Sequence, residues 1–148
     1  MDTPRRGCEQ PRIYTPPRRE LTRETSHGFS VIEFAENTLG IRLLPWQKWL
    51  FLHALELRDD GLYRFRTVLV LVARQSGKTF VMLILALCHL YVRGSRTVIG
   101  TAQDLANAEK AWGEAVEIAE SVPELAAGIR HVVKVNGKKS LVLAGGQQ

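Results

Sequence analysis

Thr67-Val68-Leu69-Val70-Leu71-Val72-Ala73-Arg74-Gln75-Ser76-Gly77-Lys78-Thr79, running without a break into the apolar stretch Phe80 to Tyr91, decides the expected fold. Thr67 to Val72 is short, built from β-branched residues and leucine, and bounded by polar sequence, which predicts a strand buried on both faces. Ala73 to Thr79 reads as a loop. Phe80 to Tyr91 is apolar nearly all round, as in a helix packed deep against a sheet. A loop of this kind between strand and helix has a chemical use. Successive main-chain N–H groups converge on an anion, and the helix start adds the positive end of its dipole. Gly77 lets the backbone approach a phosphate without a side-chain clash. Lys78 supplies a point charge, and the Thr79 hydroxyl suits Mg²⁺, which prefers hard oxygen ligands. Ala73, Arg74, Gln75, Ser76, Gly77, Lys78 and Thr79 are therefore expected to bind ATP with Mg²⁺. The usual pattern is a glycine, four further residues, then Gly-Lys. Val72 holds that place here, so the pattern is incomplete and the flanking strand and helix supply the context.

Working outward, Thr97 to Thr101 predicts a second buried strand. Asp104 is placed to cap a helix reaching about Glu120, with Leu105, Ala108, Trp112, Ala115 and Ala119 as its apolar stripe and Pro123 beyond its end. His131 to Val135 and Lys138 to Ala144 are strand-like and flank Asn136-Gly137, a strong hairpin signal. Upstream, Ser30 and Glu33 have capping-box spacing for a short helix to Leu39, with Gly40 just past its end. Pro45 opens a second helix in which Trp46, Trp49, Leu50, His53, Ala54 and Leu57 form one core-facing stripe, and Asp59-Asp60-Gly61 reads as a turn. The alternation of strands and helices predicts an α/β fold of the P-loop NTPase type, a mainly parallel sheet flanked by helices, with the loop at the carboxyl edge of the first strand.

Two readings are open for Arg74 and Gln75. They are exposed polar residues, or Arg74 bonds a γ-phosphate oxygen, for which a guanidinium fork is better shaped than an ammonium. Gln47 carries an amide that donates and accepts together, matching an adenine edge; from the residue alone, an ordinary exposed helix glutamine is the simpler reading. Trp46, Trp49 and His53 read as packing residues. Gln103 and Asp104 follow the second predicted strand, where ligand sites form in α/β sheets, but capping is the simpler role for Asp104.

Lys plus Arg outnumber Asp plus Glu by 20 to 15, a formal charge of +5 that is compatible with a polyanionic partner. Much of the excess lies in Arg5, Arg6, Arg12, Arg18, Arg19 and Arg23, interleaved with four of the six prolines. Residues 1–28 are expected to be a flexible Arg/Pro-rich leader, and 29–148 the N-terminal portion of an ATPase domain. Cys8 and Cys88, with no metal-ligand spacing, suit a reducing cytoplasm and exclude a disulfide framework. Phe80 to Cys88 is well short of the roughly 18 residues a membrane span needs.

Together these residues resemble the large subunit of tailed-phage terminases, the ATP-driven motors that package DNA. The pieces are Leu44-Pro45-Trp46-Gln47, the loop Ala73 to Thr79 with Arg-Gln before Gly-Lys, the strand Val98-Ile99-Gly100-Thr101-Ala102, and the helix near Gln103 with Ala108. The resemblance covers about residues 30–148. It implies that Lys78 and Thr79 hold phosphate and Mg²⁺, that Arg74 contacts the γ-phosphate and that Gln47 contacts adenine. It also implies double-stranded DNA, a terminase small subunit, a portal protein and self-association into a ring as partners, in the cytoplasm of a bacterial host or of a lysogen carrying the prophage. The family's carboxylate-bearing strand and its nuclease domain are missing from the 148 residues, so the fold is expected to be incomplete at the C-terminus, with nucleotide binding but negligible hydrolysis. The competing readings are a P-loop helicase or translocase outside packaging, a non-catalytic nucleotide-binding module and, last, a small-molecule kinase.

Overall fold

The computed structural model of the chain describes residues 8–135 and 138–148. The chain divides into two compact units, Met1–Leu71 and Val72–Gln148.

In the first unit, helix α1 (Gly28–Glu33) continues into a wider turn over Phe34–Thr38, and helix α2 is Pro45–Ala54. The helix begins earlier than the Ser30–Glu33 spacing predicts. His27 stands at its start with no side-chain cap, because Ser26 does the local work instead. Its hydroxyl donates to the Leu52 carbonyl at 2.6 Å and accepts from Gly28 N–H at 3.0 Å. Gly28 is the point of closest approach of α1 to α2: a Cβ there would lie 2.4 Å from the Phe51 carbonyl oxygen. After the wider turn the chain reverses at Gly40, whose φ is +65°, and Ile41 N–H bonds the Ala35 carbonyl at 2.8 Å.

Pro45 sits in the first turn of α2, as expected. The buried line, however, is Leu43, Gln47, Phe51 and Leu55, four residues apart, and not the tryptophan stripe. Trp49 instead stacks on His53 with ring centroids 3.7 Å apart, and Tyr14 meets the Trp49 edge at 5.0 Å. The aromatic face is thus covered by the segment that precedes α1, while the smaller side chains reach the α1 contact. That preceding segment is held at several points. Arg18 N–H donates to Glu56 Oε1 at 2.9 Å, Arg19 bonds the Leu57 carbonyl at 2.8 Å, and Leu57 N–H donates to Thr25 at 2.8 Å.

In the second unit, helix α3 (Lys78–Tyr91) packs against helix α4 (Leu105–Ser121), and α4 against the short α5 (Pro123–Ala127). Val81, Leu83, Ile84, Leu87, Cys88 and Leu90 bury one side of α3, with Val116, Ala119 and Leu125 from the other two helices also in this unit's core. Strands β1 (Ile129–Val133) and β2 (Ser140–Leu143) pair antiparallel, Val132 opposite Leu141 and Val133 opposite Ser140. The hairpin is therefore present where the sequence places it. Its predicted turn, Asn136-Gly137, lies outside the described residues.

The expected mainly parallel sheet flanked by helices is not the architecture found. Among the described residues the only sheet is this two-stranded antiparallel one, accompanied by five α-helices. Thr67 to Val72 and Thr97 to Thr101 lie in neither helix nor ladder, and Leu69, Leu71 and Ile99 are each at least 80% exposed. In the second segment Val98 N–H donates to the Gln148 carbonyl at 2.8 Å. β-Branched composition states how well residues fit a pleated, covered surface; it does not supply the neighbouring strand. For the same reason α3 is not enclosed all round, and Phe80 and Met82 are exposed. No helix among the described residues is long and apolar enough to cross a membrane.

Candidate functional site

The loop Val72 to Thr79 and the start of α3 form the candidate site, all within the second unit. The chain turns at Arg74-Gln75 and enters the helix at Lys78. Two residues adopt left-handed backbone. Gln75 has φ +61° and Gly77, at the helix N-cap, has φ +83°. Gly77 meets this requirement without cost, whereas Gln75 holds a conformation disfavoured for a residue with a Cβ. Left-handed residues in a tight turn are the means by which consecutive N–H groups come to face one concave side. Gly77, at the N-cap, provides no side-chain cap to α3.

Lys78 folds back over its own loop. Its Nζ donates to the Val72 carbonyl at 3.1 Å and the Ala73 carbonyl at 3.4 Å. The ammonium therefore stands at the mouth of the loop, bonded to neutral acceptors that an anion with full charge can replace. Arg74, Gln75, Lys78 and Thr79 are exposed, and Ser76 and Gly77 half-buried. No Asp or Glu occurs between Val72 and Gln103. The next one, Asp104, caps α4 as expected, taking the Asn107 N–H at 2.8 Å and the Asn107 side-chain amide at 2.8 Å. The Asn107 N–H foremost holds its carboxyl below the ordinary aspartate value.

Gln47 lies in the first unit, buried on α2, and its Oε1 accepts the Leu44 N–H at 2.8 Å. It closes the N-terminus of α2 from inside the helix, a role the sequence reading did not assign it. The structure thus gathers Ala73 through Thr79 into one loop and places Gln47 in the other unit.

A family model described as terminase large subunit, T4likevirus-type, N-terminal, matches residues 69–147. The chain belongs to the terminase large subunit family. Membership ties it to phage genome packaging, with DNA and packaging proteins as its general partners. The match begins within Thr67 to Val72 and spans the loop, α3, α4 and the hairpin. Comparison with curated proteins and with solved structures gives no match.

Sequence reasoning missed a buried ion pair in the first unit. Glu56 is 1% exposed, and its Oε2 meets Arg64 Nη1 at 2.6 Å while its Oε1 takes the Arg18 N–H. Burial alone would raise the Glu56 pKa; the Arg18 N–H and the Arg64 guanidinium outweigh it and bring it below the usual glutamate value. Nothing in Leu55-Glu56-Leu57-Arg58-Asp59 marks Glu56 as the inward residue, because charge-rich turns are normally solvated.

Proposed function

We propose that the Val72 to Thr79 loop binds the phosphates of ATP for a chain that serves in DNA packaging. The observation that supports this is the Lys78 ammonium held over its own loop carbonyls, next to a left-handed Gly77 at a helix start with no side-chain cap. On binding, Lys78 exchanges those two carbonyls for phosphate oxygens, and the first N–H groups of α3 take further oxygens. Arg74, exposed in the same turn, reaches toward the terminal phosphate. Among the described residues there is no cluster of three or more His, Cys, Asp or Glu able to hold a metal. Mg²⁺ is therefore expected to arrive with the nucleotide, held by phosphate oxygens, waters and the Thr79 hydroxyl.

The adenine contact by Gln47 follows from the resemblance; its Oε1 is already committed to Leu44. The translocation of double-stranded DNA powered by this nucleotide, the small subunit, portal and ring partners, and the bacterial cytoplasm as the setting belong to the same proposal.

The test is a titration of the 148-residue chain with a fluorescent ATP analogue and Mg²⁺, alongside Lys78→Ala and a phosphate-release assay. Loss of one charge-assisted contact weakens binding by about 1.5–3 kcal/mol, roughly tenfold to a hundredfold. Circular dichroism should be unchanged, since Lys78 is exposed and bonds only its own loop. Equal affinity of the two proteins would remove the loop from the site.

A further inference from the structure

We propose that the β1–β2 hairpin is a contact surface for the phosphate backbone of duplex DNA, through Arg130, Lys134 and Lys138. This rests on the packaging role and names the surface that serves it. From Ile129 to Leu143 the sequence holds Arg130, Lys134, Lys138 and Lys139, and no Asp or Glu. Arg130, Lys134 and Lys138 are exposed, and among the described residues none of the three has a carboxylate within ion-pair distance. Lys139 differs: it bonds Glu109 at 3.0 Å and lies 5.8 Å from the Trp112 ring centre, which ties the hairpin to α4.

Charge in the second unit is segregated around this tie. From Leu105 to Ala127, α4 and α5 carry Glu109, Glu114, Glu117, Glu120 and Glu124 against Lys110 alone. The hairpin carries only positive charge. Continuing the register past Val133 opposite Ser140 sets Lys134 across from Lys139. Like charges directly opposed destabilise a two-stranded ribbon; Glu109 offsets the charge of Lys139, and a polyanion would offset that of Lys134. Two arginines of the N-terminal segment contrast with this. Arg19 is paired with Asp59 and Arg23 with Glu33 inside the first unit. Exposed cations without internal partners are the ones that release counterions on meeting phosphate.

The experiment measures binding of the 148-residue chain to a fluorescein-labelled 20-base-pair duplex between 50 and 200 mM salt. It compares the Arg130→Ala, Lys134→Ala, Lys138→Ala triple variant with a control of equal charge loss, Arg12→Ala, Arg66→Ala, Lys110→Ala. Three phosphate contacts at about 0.9 in slope each remove about 2.7 from the salt slope. The fall in affinity over that salt range should then shrink by about 40-fold for the hairpin triple and little for the control. A Lys134→Arg, Lys138→Arg variant should bind as the parent does, which separates loss of charge from misfolding. Equal losses in both triples would reduce the effect to bulk charge and overturn the hairpin assignment while leaving DNA binding in place. No binding of the parent chain to the duplex at 50 mM salt would overturn it as well, and the nucleotide titration would still stand or fall by itself.

Discussion

Glu56→Gln tests the buried ion pair of the first unit most directly. The substitution keeps an acceptor for the Arg18 N–H but removes the charge that balances Arg64, whose side chain is only 13% exposed. Arg64 Nη1 retains the Pro16 carbonyl at 2.9 Å, a neutral acceptor. Breaking one side of a buried pair costs about 3 kcal/mol. In a chain of this size that lowers Tm by roughly 6–12 °C. Thermal unfolding followed by tryptophan fluorescence reads it well, because Trp46 and Trp49 belong to the same unit. The pH dependence gives an independent sign. The folded Glu56 has its pKa below the ordinary value, so the native state binds fewer protons than the unfolded one. Its contribution is complete above the ordinary glutamate pKa of about 4.3 and is lost as pH falls through the folded value. The gap between parent and variant should therefore be full at pH 7 and close in acid. Glu56→Leu with Arg64→Met should recover much of the loss, because a packed apolar pair avoids the desolvation of two charges. A change below about 0.5 kcal/mol at pH 7, with no narrowing in acid, would place the pair in solvent and refute the assignment.

Three further outcomes follow from the same packing. Gly28→Ala would set a methyl 2.4–2.5 Å from backbone atoms of Phe51 and Leu52, which cannot rotate away, so α1 and α2 must separate; thermal melts should show a loss of about 3 kcal/mol. Asp104→Ala should release the Asn107 N–H, read as faster hydrogen exchange at the start of α4, and the same protection should fade in the parent as acid titrates the lowered Asp104 carboxyl. Burial pushes the Cys88 thiol up to about 11, so at pH 8 a disulfide reagent should label exposed Cys8 promptly and Cys88 only after unfolding.

What the sequence made legible is what neighbours in sequence decide. The Asp104 cap acts across three residues, Gly40 and Gly77 answer a positive φ at their own positions, and the hairpin's strands are separated by a few residues. Thr67 to Val72 and Thr97 to Thr101 were not legible in the same way. A strand inside a sheet is completed by a distant partner, and β-branched residues record the preference without naming it. The stripe of α2 failed for a different reason. Helical spacing counted from Trp46 selects Trp46, Trp49, Leu50, His53, Ala54 and Leu57, of which Leu57 is buried, while the buried line runs Leu43, Gln47, Phe51, Leu55 and includes an amide. Gln47 is tolerated there because it satisfies the Leu44 N–H that the helix start would otherwise leave unpaired. The residues expected to bind nucleotide divide in the same way. Ala73 to Thr79 are neighbours in sequence and lie together in the loop and the first turn of α3. Gln47 stands in the first unit, where its side chain is held by the start of α2. A Gln47→Ala variant would therefore expose the first unit's own helix start as well as any contact to a base, and the two effects separate only if stability and nucleotide affinity are measured on the same protein.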